Sequence, residues 1–167
     1  MKLRYNDKWK RFVIKALKNI DFLSEKVSDE TLEEITYLVK LESYQEGSLL
    51  FKQGKAWEDV KIIVSGEVDI LMNNNDIYDV SMDTLYTGCN IGSYSVITGD
   101  DYTISGKAQI DCTILTIETS TLVYLRNTFD EINSRLNEYE DYISDNGLPL
   151  LDYKMYRTKH MNLTPLK

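Results

Sequence analysis

Apolar residues recur at spacings of three and four near the start of this chain. Trp9, Phe12, Val13, Ala16, Leu17 and Ile20 fall on one face of a helix over residues 8–20. Lys8, Lys10, Arg11, Lys15 and Lys18 cover the rest, so the predicted helix is amphipathic with a basic outer side. A second helix is predicted after it. Ser28 is its N-cap, Asp29 and Glu30 fill the first turn where the dipole favours acids, and Val27 and Leu32 have staple spacing. Leu32, Ile35, Leu38 and Val39 are expected to face the core.

Over residues 40–118 the period shortens to that of strands. Strands are predicted at 40–44, 48–52, 59–65, 67–73, 77–85, 102–110 and 112–118, with one more leading to Ile91. Glu46-Gly47, Gln53-Gly54 and Ser65-Gly66 supply turns, and the run Asn73, Asn74, Asn75, Asp76 reads as a long hairpin turn because it lacks calcium-loop spacing. Many short strands between glycine turns predict a mainly β, α+β fold. The specific expectation is an eight-stranded jelly-roll β-barrel flanked by N-terminal helices and a long C-terminal helix. That last helix is expected over 121–145, capped by Ser120. Leu122, Leu125, Phe129, Ile132, Leu136, Tyr139 and Ile143 form a heptad seam along it. Asp130, Glu131, Glu138, Glu140 and Asp141 make its other face acidic. Asn146, Gly147 and Pro149 end it. The tail, 148–167, carries Leu148, Leu150, Leu151, Tyr153, Met155 and Tyr156 without a period, and is expected to lie along another surface. The chain thus divides into a basic helical arm (1–19), a central domain (20–146) and a tail (147–167).

Residues 88–108 are the stretch around which the rest is organised. A strand reaches a tight turn at Gly92, one helical turn follows, residues 99–101 loop back, and a strand runs from 102 to 110. In that strand Ile104, Ala108 and Ile110 are expected on one face, with Thr103, Ser105, Lys107 and Gln109 on the other. A glycine turn that opens a short helix presents backbone N–H groups suited to an anion.

This stretch resembles the phosphate-binding cassette of the cyclic-nucleotide-binding domain family, which reads roughly F-G-E-x-A-L, a spacer, P-R-A-A and a strand. Ile91, Gly92, Ser93, Tyr94, Ser95 and Val96 match the first six positions, and Asp101, Tyr102, Thr103 and Ile104 match the second block. Upstream, Glu46-Gly47, Leu50-Phe51, Gln53-Gly54, Ile62-Ile63 and Ser65-Gly66-Glu67-Val68 follow the glycine pattern of the same family. The likeness extends over about 20–125. It implies a nucleotide pocket at Gly92, Ser93, Tyr94, Ser95, Tyr102 and Thr103. The two residues that carry the chemistry depart from the pattern. Ser93 stands where the family's Glu holds the ribose 2′-hydroxyl, and Tyr102 stands where its Arg pairs with the cyclic phosphate. The resemblance therefore implies a degenerate pocket, with no cofactor and no cAMP or cGMP bound.

Charge sharpens that expectation. From Ile62 to Leu125 one cation, Lys107, faces nine acids, and no Arg lies between Arg11 and Arg126. A phosphate without a guanidinium fork loses charge-assisted bonds of ~1.5–3 kcal/mol each, and Asp100 and Asp101 add repulsion. The net charge of −8 is also uneven. Residues 1–18 sum to +6 (seven cations, one acid), so the other 149 sum to −14. An acidic body argues against a nucleic acid partner, and the basic arm is the place for an acidic protein or a membrane surface to dock.

His160 is the only histidine, which removes clustered-histidine metal chemistry and a Ser-His triad. Cys89 and Cys112 have no metal or CxxC spacing and read as buried thiols. No P-loop, Rossmann glycine pattern or membrane-length apolar run occurs. The reading is a non-catalytic adaptor subunit that meets protein partners through the arm, the acidic helix and the tail. The alternative is a cytosolic channel- or kinase-type module that still binds cAMP or cGMP. The start at Met1 favours a small subunit over a channel fragment. Asn-, Tyr-, Ile- and Lys-rich usage suggests an AT-rich protist genome, with which a cytoplasmic, ciliary or flagellar assembly would be in keeping, and a mitochondrial presequence is another reading of the arm.

Overall fold

The computed structural model describes residues 7–24, 26–73, 79–148 and 151–154. Nine strands form two antiparallel sheets. The first has β1 (Lys40–Tyr44), β8 (Cys112–Glu118), β3 (Asp59–Ser65), β6 (Asn90–Ile91) and β9 (Tyr153–Lys154), adjacent in that order. The second has β2 (Leu49–Phe51), β7 (Ser105–Ala108), β4 (Val68–Met72) and β5 (Val80–Leu85). The helices are α1 (Asp7–Lys18), α2 (Asp29–Thr36), α3 (Ser95–Thr98), α4 (Thr119–Thr128) and α5 (Asp130–Asn146).

β3 shows how the layers arise. Val60, Ile62 and Val64 point into a core shared with the helices, while Ile63 points between the sheets. Side chains alternate along a strand, so one buried on both faces joins two cores. The helical core takes Trp9, Phe12, Val13, Ala16 and Leu17 of α1, Leu32 and Ile35 of α2, and the seam of α4 and α5. The inter-sheet core takes Phe51, Trp57, Ile70, Leu85, Ile91, Tyr102 and Ile114.

Several expectations change. Among the described residues the sheets remain separate, do not close into a barrel, and comprise nine strands rather than eight. The ninth comes from the tail. The single helix expected over 121–145 breaks at Phe129, whose backbone is extended (φ −119°, ψ 114°). Leu122, Leu125, Ile132, Leu136 and Tyr139 are nevertheless buried, so the seam faces the core across the break. Arg126 spans the corner, donating to Asn133 at 3.0 Å and also pairing with Asn137 and Glu140 of α5. The helix starts at Thr119, after Glu118 at the N-cap, and not after Ser120. Ile110 lies past the end of β7 and is exposed, while Ser105 is buried. The expected alternation of 102–110 therefore holds for Ile104 and Ala108 inside and for Thr103, Lys107 and Gln109 outside, and fails at Ser105 and Ile110. Leu38 is also exposed, because α2 has ended before it.

α1 packs as the sequence pattern predicts, and part of its basic face is used locally. Lys10 pairs with Glu33 at 3.3 Å and Lys18 with Asp29 at 2.9 Å. Ser28 caps α2, accepting from the Thr31 N–H at 3.3 Å. Glu131 of α5 reaches the same place. It accepts from the Ser28 N–H at 3.2 Å and hydroxyl at 2.9 Å, and from the Thr31 hydroxyl. The Thr31 and Ser28 bonds hold its carboxyl below the usual range. Gln53 exchanges two 2.9 Å bonds with the Asn73 backbone at the mouth of the β4–β5 hairpin. Asn74, Asn75, Asp76, Pro149, most of the tail with Met155, Tyr156 and His160, and the first six residues with Lys2 and Arg4 lie outside the described residues.

Candidate functional site

The cassette is built on β6. After Ile91 the chain turns at Gly92 with φ +92°, a region in which side chains are strained. A Cβ there would also lie 2.2 Å from Trp57 Cζ3, so glycine is required by both backbone and packing. α3 then gives one helical turn, closed by Gly99 in the left-handed conformation. The return strand is locked to the β2–β3 loop. The Tyr102 N–H donates to the Lys55 carbonyl at 2.7 Å, and the Gly54 N–H to the Tyr102 carbonyl at 2.9 Å.

Inside this frame the Tyr102 ring is 6% exposed and forms a stack. Its centroid lies 4.7 Å from Phe51 at an interplanar angle of 17°, and 3.7 Å from Trp57. Burial raises the phenol well above its ordinary range, so it stays neutral. The position that the sequence resemblance leaves without its cation is thus filled by one ring of a three-ring cluster. Ser93 and Ser95 are buried, Tyr94 is half-buried, and Thr103 is exposed. Tyr94 lays its ring on α5, 4.9 Å from Tyr139 and 5.9 Å from Tyr142.

The cassette amides have a partner that pattern reading missed. Asp152, in the residue before β9, is 3% exposed. Its Oδ2 accepts from the Ser95 N–H at 2.6 Å and from the Tyr94 N–H at 3.1 Å. Its backbone carbonyl accepts from the Gly92 N–H at 2.8 Å. Burial pushes this carboxyl up, and the bonds from Ser95 and Tyr94 pull against that shift. β9 then pairs with β6, Ile91 facing Tyr153 and Asn90 facing Lys154. The Tyr153 hydroxyl crosses to the other sheet and donates to Asp83 Oδ2 at 2.9 Å, and its own ionisation is pushed up to about 12, mainly by burial. The only local hint was an acid set between Leu151 and Tyr153 in an otherwise apolar stretch.

Beyond the aromatic stack lies an open cleft of about 320 Å³, lined by Tyr102, Phe51, Lys52, Lys55, Glu58 and Lys61 among others. Lys61 is 3% exposed. Its amine is held by Asp59 at 3.2 Å, the Tyr44 hydroxyl at 3.4 Å and Glu42 at 3.6 Å. Burial would lower Lys61, but Asp59, Tyr44 and Glu42 outweigh it and keep the amine charged. The amine donates to Asp59 and to the Tyr44 hydroxyl and is ion-paired with Glu42, so this cation is engaged. Lys107, the single cation counted between Ile62 and Leu125, is exposed on β7 and does not line the cleft. Cys89 and Cys112 are buried and not disulfide-linked, and burial raises the Cys112 thiol. No group of three or more metal-ligating side chains occurs among the described residues, and none of the described helices is long and apolar enough to cross a membrane.

Comparison with known proteins agrees with this fold. The cyclic nucleotide-binding domain family matches residues 41–128. Among solved structures, the N-terminal domain of a transcriptional regulator from Streptomyces coelicolor is similar at 18% identity and a TM-score of 0.69, over 78% of this chain and 90% of that one. A putative cyclic nucleotide binding protein from Ruegeria pomeroyi gives 16% identity and 0.65, over 81% of this chain and 59% of its own. The regulatory domain of Toxoplasma gondii PKA, solved with cAMP, gives 13% and 0.63, over 81% of this chain and 50% of its own. The chain thus spans under two thirds of two of these three proteins, and at such identities the likeness concerns the fold. No curated protein sequence matches significantly.

Proposed function

The chain belongs to the cyclic nucleotide-binding domain family, and from that premise we propose that it is a non-catalytic member that no longer takes cAMP or cGMP and serves as an adaptor in a larger assembly. The observation that carries this reading is the buried Tyr102 ring packed against Phe51 and Trp57, which also meet each other. An arginine fork at that position would bring charge and two donors to a phosphate, whereas a neutral buried phenol brings bulk. Ser93 is too short to replace a glutamate at the ribose hydroxyl. The buried cation nearest Tyr102, Lys61, is committed to Asp59, Tyr44 and Glu42.

The partners of such an adaptor are proteins. The surfaces that suit them are the exposed basic residues Lys8, Arg11 and Lys15 of α1 and the acidic outer face of α5, with Glu138, Glu140 and Asp141. The test is titration calorimetry of the full chain with cAMP and with cGMP at millimolar ligand. No binding heat is expected with either. Micromolar binding would overturn the reading and restore that of a nucleotide-regulated module, with Lys52 and Lys55 in the cleft as the phosphate-binding candidates.

A further inference from the structure

The tail segment 151–154 does more than cover a sheet edge. Its single acid is placed on the two amides that open α3, its carbonyl takes the third amide at Gly92, and β9 extends the sheet at β6. Tyr153 ties the same four residues to Asp83 on β5, at the far edge of the other sheet. We propose that residues 151–154 are a built-in pseudo-ligand: the Asp152 carboxylate occupies the anion position of the cassette, and the strap that carries it holds α5 against the cassette as one unit.

Two features bind the strap to α5. Tyr94, whose N–H donates to Asp152, also lays its ring on Tyr139 and Tyr142 of α5. The tether is short as well. Asn146, the last residue of α5, and Leu151 are five positions apart. At ~3.5 Å per residue that span is at most about 17 Å, so a large swing of α5 withdraws the strap, and release of the strap frees the end of α5. An acid supplied by the chain itself needs no external ligand and has a very high effective concentration, so the seat stays filled. A partner that captures the tail or the end of α5 would empty it.

The proposal rests on the nucleotide-free reading of the cassette, and its test is independent of nucleotide. Amide hydrogen exchange is followed by nuclear magnetic resonance on the ¹⁵N-labelled full chain. In the unmodified protein, Gly92, Tyr94 and Ser95 should exchange at least about tenfold more slowly than a free peptide, at a rate shared with the last turn of α5, as members of one cooperative unit do. In Asp152→Ala the same amides and residues 139–146 should exchange at least about tenfold faster, while Ile62 and Leu115 stay unchanged. Asp152→Asn, which keeps an acceptor and loses the charge, should fall between the two. If Asp152→Ala does not fold, the shared rate in the unmodified protein decides. Free-peptide exchange at Gly92, Tyr94 and Ser95, or no response to Asp152→Ala, overturns the pseudo-ligand. A response confined to the cassette, with α5 unmoved, overturns the coupling. Binding of cAMP with these exchange results intact would defeat the functional reading and leave the strap standing.

Discussion

At the N-terminal end of the described chain, Trp9, Val13, Ala16 and Leu17 are at most 2% exposed, and α1 is part of the larger core. At the C-terminal end, residues 151–154 are held by three cassette N–H bonds, a two-residue ladder and one tyrosine–carboxylate bond. Both ends carry charge and apolar side chains, and both invite a reading as docking arms outside the domain. They are attached by different physics. α1 removes large apolar area from water, which is worth ~25 cal/mol per Å² and adds up over a whole helix face. The strap packs only Leu151 and Tyr153, both half-buried, against the inter-sheet core and otherwise gains directed bonds that nearly cancel against water, so its net contribution is smaller while the cost of leaving its partners unpaired is local. The first end sets whether the molecule folds. The second sets the state of the cassette.

The largest expected effect breaks the first half of this comparison. Trp9→Ala should cost ~3–5 kcal/mol in chemical denaturation, since it empties a site that α1 fills completely. A loss below about 1 kcal/mol would show that α1 is a removable arm after all. By the same reasoning, deleting residues 7–18 uncovers part of the helical core and should lower the melting temperature sharply.

The next effect sharpens the second half. Asp152→Ala strips two buried amides of their acceptor, which costs ~1–3 kcal/mol globally, less than Trp9→Ala despite equal burial. A global loss as large as that of Trp9→Ala would mean that the strap belongs to the folding core and is not a latch.

The smallest effect concerns the Glu131 clasp between α5 and α2. Its carboxyl is held low in the folded state by bonds from Thr31 and Ser28. A depressed acid stabilises the fold above its unfolded value, near 4.3, and that share is lost as pH falls through the lower folded value. Glu131→Gln should therefore reduce thermal stability slightly at pH 7 and converge on the unmodified protein as pH falls below about 4. Parallel curves across that range would show that the bonds do not depend on the charge.

Much of this molecule is written in local pattern. The helical spacing of Trp9, Phe12, Val13, Ala16 and Leu17 specifies a buried face, and α1 buries those same residues. The glycines at 47, 54, 66, 88 and 92 all adopt positive φ, so turn positions were legible as residues that other types fill poorly. β1, β3 and β8 have the predicted bounds, and in β3 and β8 runs of apolar and β-branched residues between such turns admit few alternatives. The departures at Ser93 and Tyr102 were equally visible, since a missing charge is a property of composition.

Tertiary structure alone decided the rest. The break at Phe129 leaves the heptad seam intact, so no change of period announces it; the chain turns there to keep both halves on one core. The sheets stay open because register and edge pairing depend on strands far apart in sequence. The fate of Asp152 is the clearest case. Its partners Tyr94 and Ser95 lie 58 and 57 residues away, and a two-residue strand has no periodicity to read. An acid in an apolar tail looks like any solvated charge until the fold brings two amides to it. Pattern specifies what each segment buries, whereas pairing between distant polar groups is fixed only when loop closure has placed them within hydrogen-bond reach.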